Sequence, residues 1–186
     1  MFHSKIEGVV NFGQFLIVSS NQFLGKSMTS VLFVCLGNIC RSPLAEGVFR
    51  HHVEAAGLTD TIKIDSAGTG TWHIGNAPDP RSIEVATKNG IDITHQRARG
   101  VSLQDFVEFD FVIGMDNENF SNLSKFKTAK EAEISLFLSH APHFGVSEVP
   151  DPYYGEEDGF DHVFNLVDEA AKGLLAHISN KKGGDR

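Results

Sequence analysis

Short continuous apolar runs alternate along this chain with stretches in which apolar residues recur every third or fourth position. Val31, Leu32, Phe33 and Val34 form the first run, residues 62–67 (IKIDSA) alternate as a second, and 109–114 (FDFVIG) and 132–137 are the third and fourth. Runs this short, rich in β-branched and aromatic residues, predict strands, and the unbroken ones predict strands buried on both faces. Between them, Ala45, Val48, Phe49, Val53 and Ala56 mark one face of a helix over 43–56, with Gly57 placed to stop it. Pro78 and Pro80 frame a second helix start with Asp79 as its cap, and Asn89-Gly90 ends it. A third helix is expected over 119–127. The last helix is the clearest: Phe160, Val163, Phe164, Val167, Ala170, Ala171, Leu174, Leu175 and Ile178 keep the spacing of one helical face. Strands alternating with helices predict an α/β fold, a single-domain three-layer sandwich whose four-stranded parallel sheet carries helices on both faces.

Composition narrows the function classes. A chain of 186 residues, 41% apolar and 22% charged, suits one domain with a sizeable core. A formal net charge of −8 argues against general nucleic-acid binding, which needs clustered Lys and Arg, so any anion site must be local. Only two cysteines are present, five positions apart, so no disulfide framework staples the fold. A reactive thiol would then imply a reducing compartment, and a cytoplasmic location is expected.

Residues 1–27 read as an N-terminal extension, disordered or translated from a start upstream of Met28. Its apolar run 9–18 contains Asn11 and Gln14 and is too short to cross a bilayer. It lacks a small-x-small cleavage pattern, and Glu7 offsets Lys5 where a secretory leader would be positive. The domain is placed at 28–180, followed by a polar tail at 181–186 (KKGGDR).

The chemistry concentrates at 31–47, VLFVCLGNICRSPLAEG. A buried strand delivers Cys35 into a tight loop that ends at Arg41, and Ser42-Pro43 opens the first helix. Amides converging in such a loop, with the helix N-terminus behind them, build an anion site, here a phosphate-binding loop after the first strand. A thiol in such a cradle beside a guanidinium is held as the nucleophilic thiolate. Arg41 can grip two oxygens of a tetrahedral oxyanion. Asn38 suits a left-handed turn that lets the loop close, and the Ser42 hydroxyl can donate to the sulfur. The alternative is that Cys35 and Cys40 are two buried core thiols.

CLGNICRSPLAEG resembles the signature of the low-molecular-weight protein tyrosine phosphatases. The resemblance extends from 29 to about 178 through IDSAGTGTWHIG (64–75), PDPRS (78–82), GIDITHQRAR (90–99), FDFVIGMD (109–116) and DPYYG (151–155), in the family's order. It implies hydrolysis of phosphotyrosine, and of small aryl phosphates, through a phosphocysteine intermediate. Cys35 is then the nucleophile, Arg41 the phosphate clamp and Asp151 the general acid and base, although an Asp before Pro is otherwise a common turn residue. Leu36, Gly37, Asn38, Ile39, Cys40 and Ser42 would bind the phosphate, and Trp72 and Tyr154 would wall a slot deep enough for a phenyl ring. Tyr153 is less clearly placed. Ser66 and His95 resemble the family's supporting residues, hydrogen-bonded to Asn38 and Ser42; on residue type alone His95 is equally an ordinary partly buried histidine.

The resemblance implies no cofactor, and the histidines, His51 and His52 included, show no metal-ligand spacing with cysteine or carboxylate partners. The expected partner is a phosphotyrosine-containing protein, without nucleic acid or membrane, the enzyme being a monomer or at most a weak homodimer. Cys40 lies close enough to Cys35 in sequence for a reversible disulfide under peroxide. Arsenate reductases of this fold need further cysteines that this chain lacks, and protein-arginine phosphatases carry Thr where Ile39 stands. A non-catalytic phosphate-binding module is the alternative from another class.

Overall fold

The computed structural model describes residues 28–126, 132–154 and 159–184, so the expectation for 1–27 lies outside the described residues. In chain order the elements are β1 (Thr29–Cys35), α1 (Arg41–Ala55), β2 (Ile62–Gly68), α2 (Pro80–Lys88), α3 (Asp105–Glu108), β3 (Phe111–Gly114), α4 (Asn117–Leu123), β4 (Glu133–Leu136) and α5 (Gly159–Gly184). The strands form one four-stranded sheet in the order β2-β1-β3-β4, with every pairing parallel. Phe33 of β1 stands opposite Ser66 of β2 on one side and Ile113 of β3 on the other.

β1 is buried along its whole length, and its alternation sorts the molecule into layers. Val31, Phe33 and Cys35 join the larger core, with Leu44, Val48 and Phe49 of α1, Val85 of α2 and Val163, Val167 and Leu174 of α5. Leu32 and Val34 point to the opposite face, where Phe106 of α3, Phe109 and Leu123 of α4 cover them. Phe33 meets Phe49 and Phe137 edge to face, at 5.5 and 5.1 Å between ring centroids. This is the three-layer sandwich that the apolar rhythms predict.

The stops fall where local chemistry places them. Asp79 caps α2 by accepting from the Arg81 amide, and Gly57 and Gly90 take the positive φ values (67° and 75°) that end the preceding helices. Other elements differ from the sequence expectation. β3 begins at Phe111 because α3 precedes it and Phe109 leaves the strand line to cover Leu32 and Val34. β4 shrinks to Glu133–Leu136, and a 3₁₀ turn at Phe137–His140 takes over its end. α5 continues to Gly184, so most of the expected polar tail is helical; a polar extension has no inward face for apolar periodicity to reveal.

β1 is flanked by β2 and β3, so the chain turns off in opposite directions on its two sides. Beyond the carboxyl end of β1 lies the crevice that such a strand order opens. Cys35 is the last residue of that strand.

Candidate active site

The loop from Cys35 to Arg41 is turned inside out by its hydrogen bonds. The carbonyls of Cys35, Leu36 and Ile39 accept from the amides of Thr69 (2.9 Å), Gly70 (2.8 Å) and Asp79 (2.7 Å), all outside the loop. The amide side of the loop is thereby left on the sulfur, and the Asn38 N–H stands 3.3 Å from Cys35 Sγ. Asn38 takes φ 54°, the left-handed turn expected of it. Closure also needs Gly68, because a Cβ there would sit 2.9 Å from the Leu36 carbonyl oxygen and 3.1 Å from the Asn38 nitrogen.

Asn38 is the hub of the support. Its Nδ2 donates to Ser42 Oγ (2.9 Å) and Ser66 Oγ (3.0 Å), and its Oδ1 accepts from the Arg99 amide (2.9 Å). Ser42 Oγ is 3.1 Å from Cys35 Sγ and 3.3 Å from the Ala67 carbonyl, so its one hydrogen can turn to the sulfur. Ser66 donates onward to Glu46 Oε2 (2.8 Å), whose other oxygen accepts from Arg50 (2.8 Å). The sulfur is thus the end of a continuous chain of hydrogen bonds through buried Ser42, Asn38, Ser66 and Glu46.

Arg41 is 4% exposed at the opposite rim. Its Nη1 donates to Asp116 Oδ2 (2.6 Å) and the Val149 carbonyl (3.1 Å), while Nη2 reaches Asp151 Oδ2 (3.1 Å). Burial opposes the charge on this guanidinium, but Cys35, Asp151 and Asp116 outweigh it and hold Arg41 above its ordinary value. Asp151 is 37% exposed and also accepts from the Tyr153 amide (3.1 Å). Cys35, Arg41 and Asp151 therefore meet around one cavity of about 280 Å³. Leu36, Gly37, Ile39 and Cys40 line it, and Trp72, His73 and Tyr153 form its rim.

Cys40 has a different environment from Cys35. Burial, then the nearby Asp79, Cys35 and Asp151, push its thiol up to about 12, so it remains protonated. Asp79 is held below the usual carboxylate range, because the hydrogen bonds from Arg81 outweigh its own burial. Neither cysteine is in a disulfide.

One expected site residue is not where the motif placed it. His95 is exposed and lines a separate cavity with Gly47, Arg50 and His51, while Asn38 and Ser42 are hydrogen-bonded by other groups. The reason is a turn at 94–95 that shifts the in–out phase by one: Ile91 and Ile93 point in, then Gln96 and Ala98 do. Ser66 is hydrogen-bonded to Asn38. Trp72 is 64% exposed, and its indole lies over Gly70, where a Cβ would meet the ring at 2.2 Å. The Tyr154 side chain lies outside the described residues, whereas Tyr153 lines the cavity.

Sequence reasoning missed Asp116, Glu46, Arg99, Arg81 and His73. Two of these left signals: Glu46 is a lone acid inside the apolar segment LAEGVF, and Asp116 stands two residues past the end of β3, directly before α4, where it caps the helix by accepting from the Asn119 amide (2.7 Å). Among the described residues no group of three His, Cys, Asp or Glu side chains could hold a metal ion.

A cysteine at the base of an amide loop, faced by a buried arginine and a partly exposed carboxyl at a strand's carboxyl end, defines a class of α/β enzyme that cleaves phosphate monoesters through sulfur. Comparison with known proteins supplies the family. Residues 30–183 match the low molecular weight phosphotyrosine protein phosphatases. The Schizosaccharomyces pombe low molecular weight phosphotyrosine protein phosphatase is 54% identical over 144 residues, covering 74% of this chain and 90% of the relative. The crystal structure of YfkJ from Bacillus subtilis superposes with a TM-score of 0.77 at 43% identity, covering 84% of this chain and 98% of that one. DARP, a drosophila arginine phosphatase, superposes with a TM-score of 0.75 at 33% identity, covering 80% and 96%. The chain belongs to the low molecular weight phosphotyrosine protein phosphatase family.

Proposed function

We propose that this protein hydrolyses phosphotyrosine in proteins, and small aryl phosphates, by a two-step transfer through Cys35. The observation that carries this is the convergence on one cavity of Cys35, buried Arg41 and Asp151, the last two already joined by a hydrogen bond. Cys35 sulfur forms a bond to phosphorus as the P–O bond to the aryl group breaks, and protonated Asp151 gives its proton to the departing oxygen. Asp151 then takes a proton from water, whose oxygen attacks phosphorus and releases the sulfur with inorganic phosphate as product. Arg41 and the amides of 36–40 hold the three equatorial oxygens. The Nη1 bonds of Arg41 to Asp116 and Val149 fix the plane of the guanidinium, so an arriving phosphate needs to compete only with Asp151 for the remaining edge. Ser42 and Asn38 stabilise the negative sulfur both as nucleophile and as leaving group.

Trp72 and Tyr153 at the rim support an aryl ester: the ring attached to a phosphate seated on the loop would meet aromatic side chains there. The likeness to DARP supports a second reading, phosphoarginine hydrolysis. Against it, Ile39 packs an apolar side chain on the core and offers no polar group at the leaving nitrogen. No helix among the described residues is long and apolar enough to cross a membrane. A cytoplasmic monomer acting on phosphoproteins fits the acidic charge and the thiol chemistry. Peroxide is expected to link Cys35 to Cys40, and peptide mapping that finds sulfinic acid at Cys35 with no linked peptide would exclude the link.

The deciding experiment is steady-state turnover of p-nitrophenyl phosphate, a phosphotyrosine peptide and a phosphoarginine peptide without added metal, for wild type and Cys35→Ser. Turnover of the first two, abolished in the variant, is the expected result. Reduced wild-type protein that binds phosphate yet turns over neither ester would overturn it.

A further inference from the structure

We propose that a groove on the far side of Trp72 binds the polypeptide next to the phosphotyrosine and selects an apolar side chain accompanied by an acidic one. This rests on the phosphotyrosine reading above. A phosphotyrosine in a protein carries chain on both sides, and at roughly 3.3–3.6 Å per extended residue the adjoining side chains must lie against the rim of the cavity.

That rim is asymmetric. Asp151 and Tyr153 stand on one side. On the other, Leu36 and Trp72 line both the catalytic cavity and a second groove of about 460 Å³ that includes neither Asp151 nor Tyr153. The wall between the two is fixed, because the indole is seated on Gly70. The groove therefore adjoins the catalytic cavity, on the other side of that wall. Substrate chain emerging past Trp72 enters it directly.

Its lining gives the chemistry of the occupant. Val101 and Phe126, both partly buried, present apolar surface, and Phe126 is held by stacking on Phe106 at 4.7 Å. Among the described residues Lys125 is the one charged side chain lining it, its Nζ 2.8 Å from Asn122 Oδ1 on the same wall. An apolar side chain buries area against Val101 and Phe126, and a neighbouring carboxylate answers Lys125. The protein as a whole carries −8, which disfavours acidic peptides at long range, so an acidic preference would have to come from this local cation.

The test measures kcat/KM on phosphotyrosine peptides whose flanks carry Leu-Glu, Leu-Lys or Ser-Ser on either side, alongside p-nitrophenyl phosphate. Wild type, Lys125→Glu and Asn122→Phe, which fills the groove from the helix surface, are compared. Wild type should favour Leu-Glu on one side. Lys125→Glu should lose about three- to fivefold on that peptide, the scale of an exposed ion pair, and gain on Leu-Lys. Asn122→Phe should erase the preference for Leu over Ser, and p-nitrophenyl phosphate should be turned over equally by all three. If both variants keep the wild-type ranking of flanks, the groove does not bind substrate. If wild type turns over neither p-nitrophenyl phosphate nor any peptide, the phosphotyrosine reading itself has failed and the groove proposal with it.

Discussion

Two segments meet at Arg41, and they are built in opposite ways. The cradle, 35–41, is buried for most of its length: its carbonyls are bonded outward, Asn38 ties it to Ser42, Ser66 and the Arg99 amide, and Gly68 lies in backbone contact behind it. The acid segment, 151–154, is a short turn with Asp151 and Tyr153 exposed, held by side chains of other elements. Arg41 holds Asp151, and Arg81 donates to the Tyr153 carbonyl (3.3 Å) while its guanidinium lies 5.4 Å from the Tyr153 ring and 4.6 Å from Phe160. Arg81 is itself anchored by Asp79, whose amide donates to Ile39 of the cradle. The difference matches the work that the proposed mechanism asks of each. Stabilising a charge that develops at a fixed point needs donors that do not reorganise, whereas a carboxyl that first gives and then takes a proton must let one group leave and another enter.

Breaking each segment should therefore cost differently. Cys35→Ser removes the proposed nucleophile and leaves the cradle's shape, so kcat should fall on the order of 10⁴-fold or more while phosphate still binds, as a turnover assay and a phosphate titration would show. Asp151→Ala should lower kcat by roughly 10²- to 10⁴-fold on phenyl phosphate. Its effect should be far smaller on 2,4-dinitrophenyl phosphate, whose oxide leaves unprotonated. Gly68→Ala places a methyl group 2.9 Å from the Leu36 carbonyl. Shifting the cradle in this way should cost about tenfold or more in kcat with good and poor leaving groups alike.

Arg81→Met keeps apolar contact with the rings but unties the acid segment. A several-fold loss of kcat is expected on phenyl phosphate only, with the rate of Cys35 alkylation by iodoacetate unchanged. Equal losses on both leaving groups would mean that Arg81 supports the cradle instead.

The smallest effect is expected away from both segments, where His140 serves as a control. Burial, with help from His177, pushes its imidazole down from 6.5 to about 4. The unfolded chain takes up this proton as pH falls below about 6.5 while the folded chain resists until about 4, so stability should fall with pH across that window. In His140→Gln, melting temperatures over the same range should fall less steeply, with turnover at neutral pH unaltered.

How much of this was legible in the chain depends on span. Cys35, Asn38, Arg41 and Ser42 lie within one loop and the helix start after it, so strand, turn and helix chemistry place them without knowledge of the rest. The stops at Gly57 and Gly90 and the Asp79 cap are equally local. The partners of Arg41 are different: Asp116 and Asp151 lie 75 and 110 residues away, and nothing in their own neighbourhoods distinguishes them from a helix cap and a turn. His95 failed for a related reason, because the turn at 94–95 reverses which of two adjacent side chains points inward, and Gln96 has the buried position.

The sequence by itself determined the alternation of elements, the family and the anion loop, since apolar periodicity, caps and a contiguous motif act over a few residues of covalent geometry. Only the tertiary structure decided that the loop is backed by Ser66 and Glu46, that Arg41 is shared between two carboxylates, and that Trp72 divides two cavities. Those contacts join segments far apart along the chain, and the energies that bring them together come from packing the sheet between its helices, which no local pattern encodes.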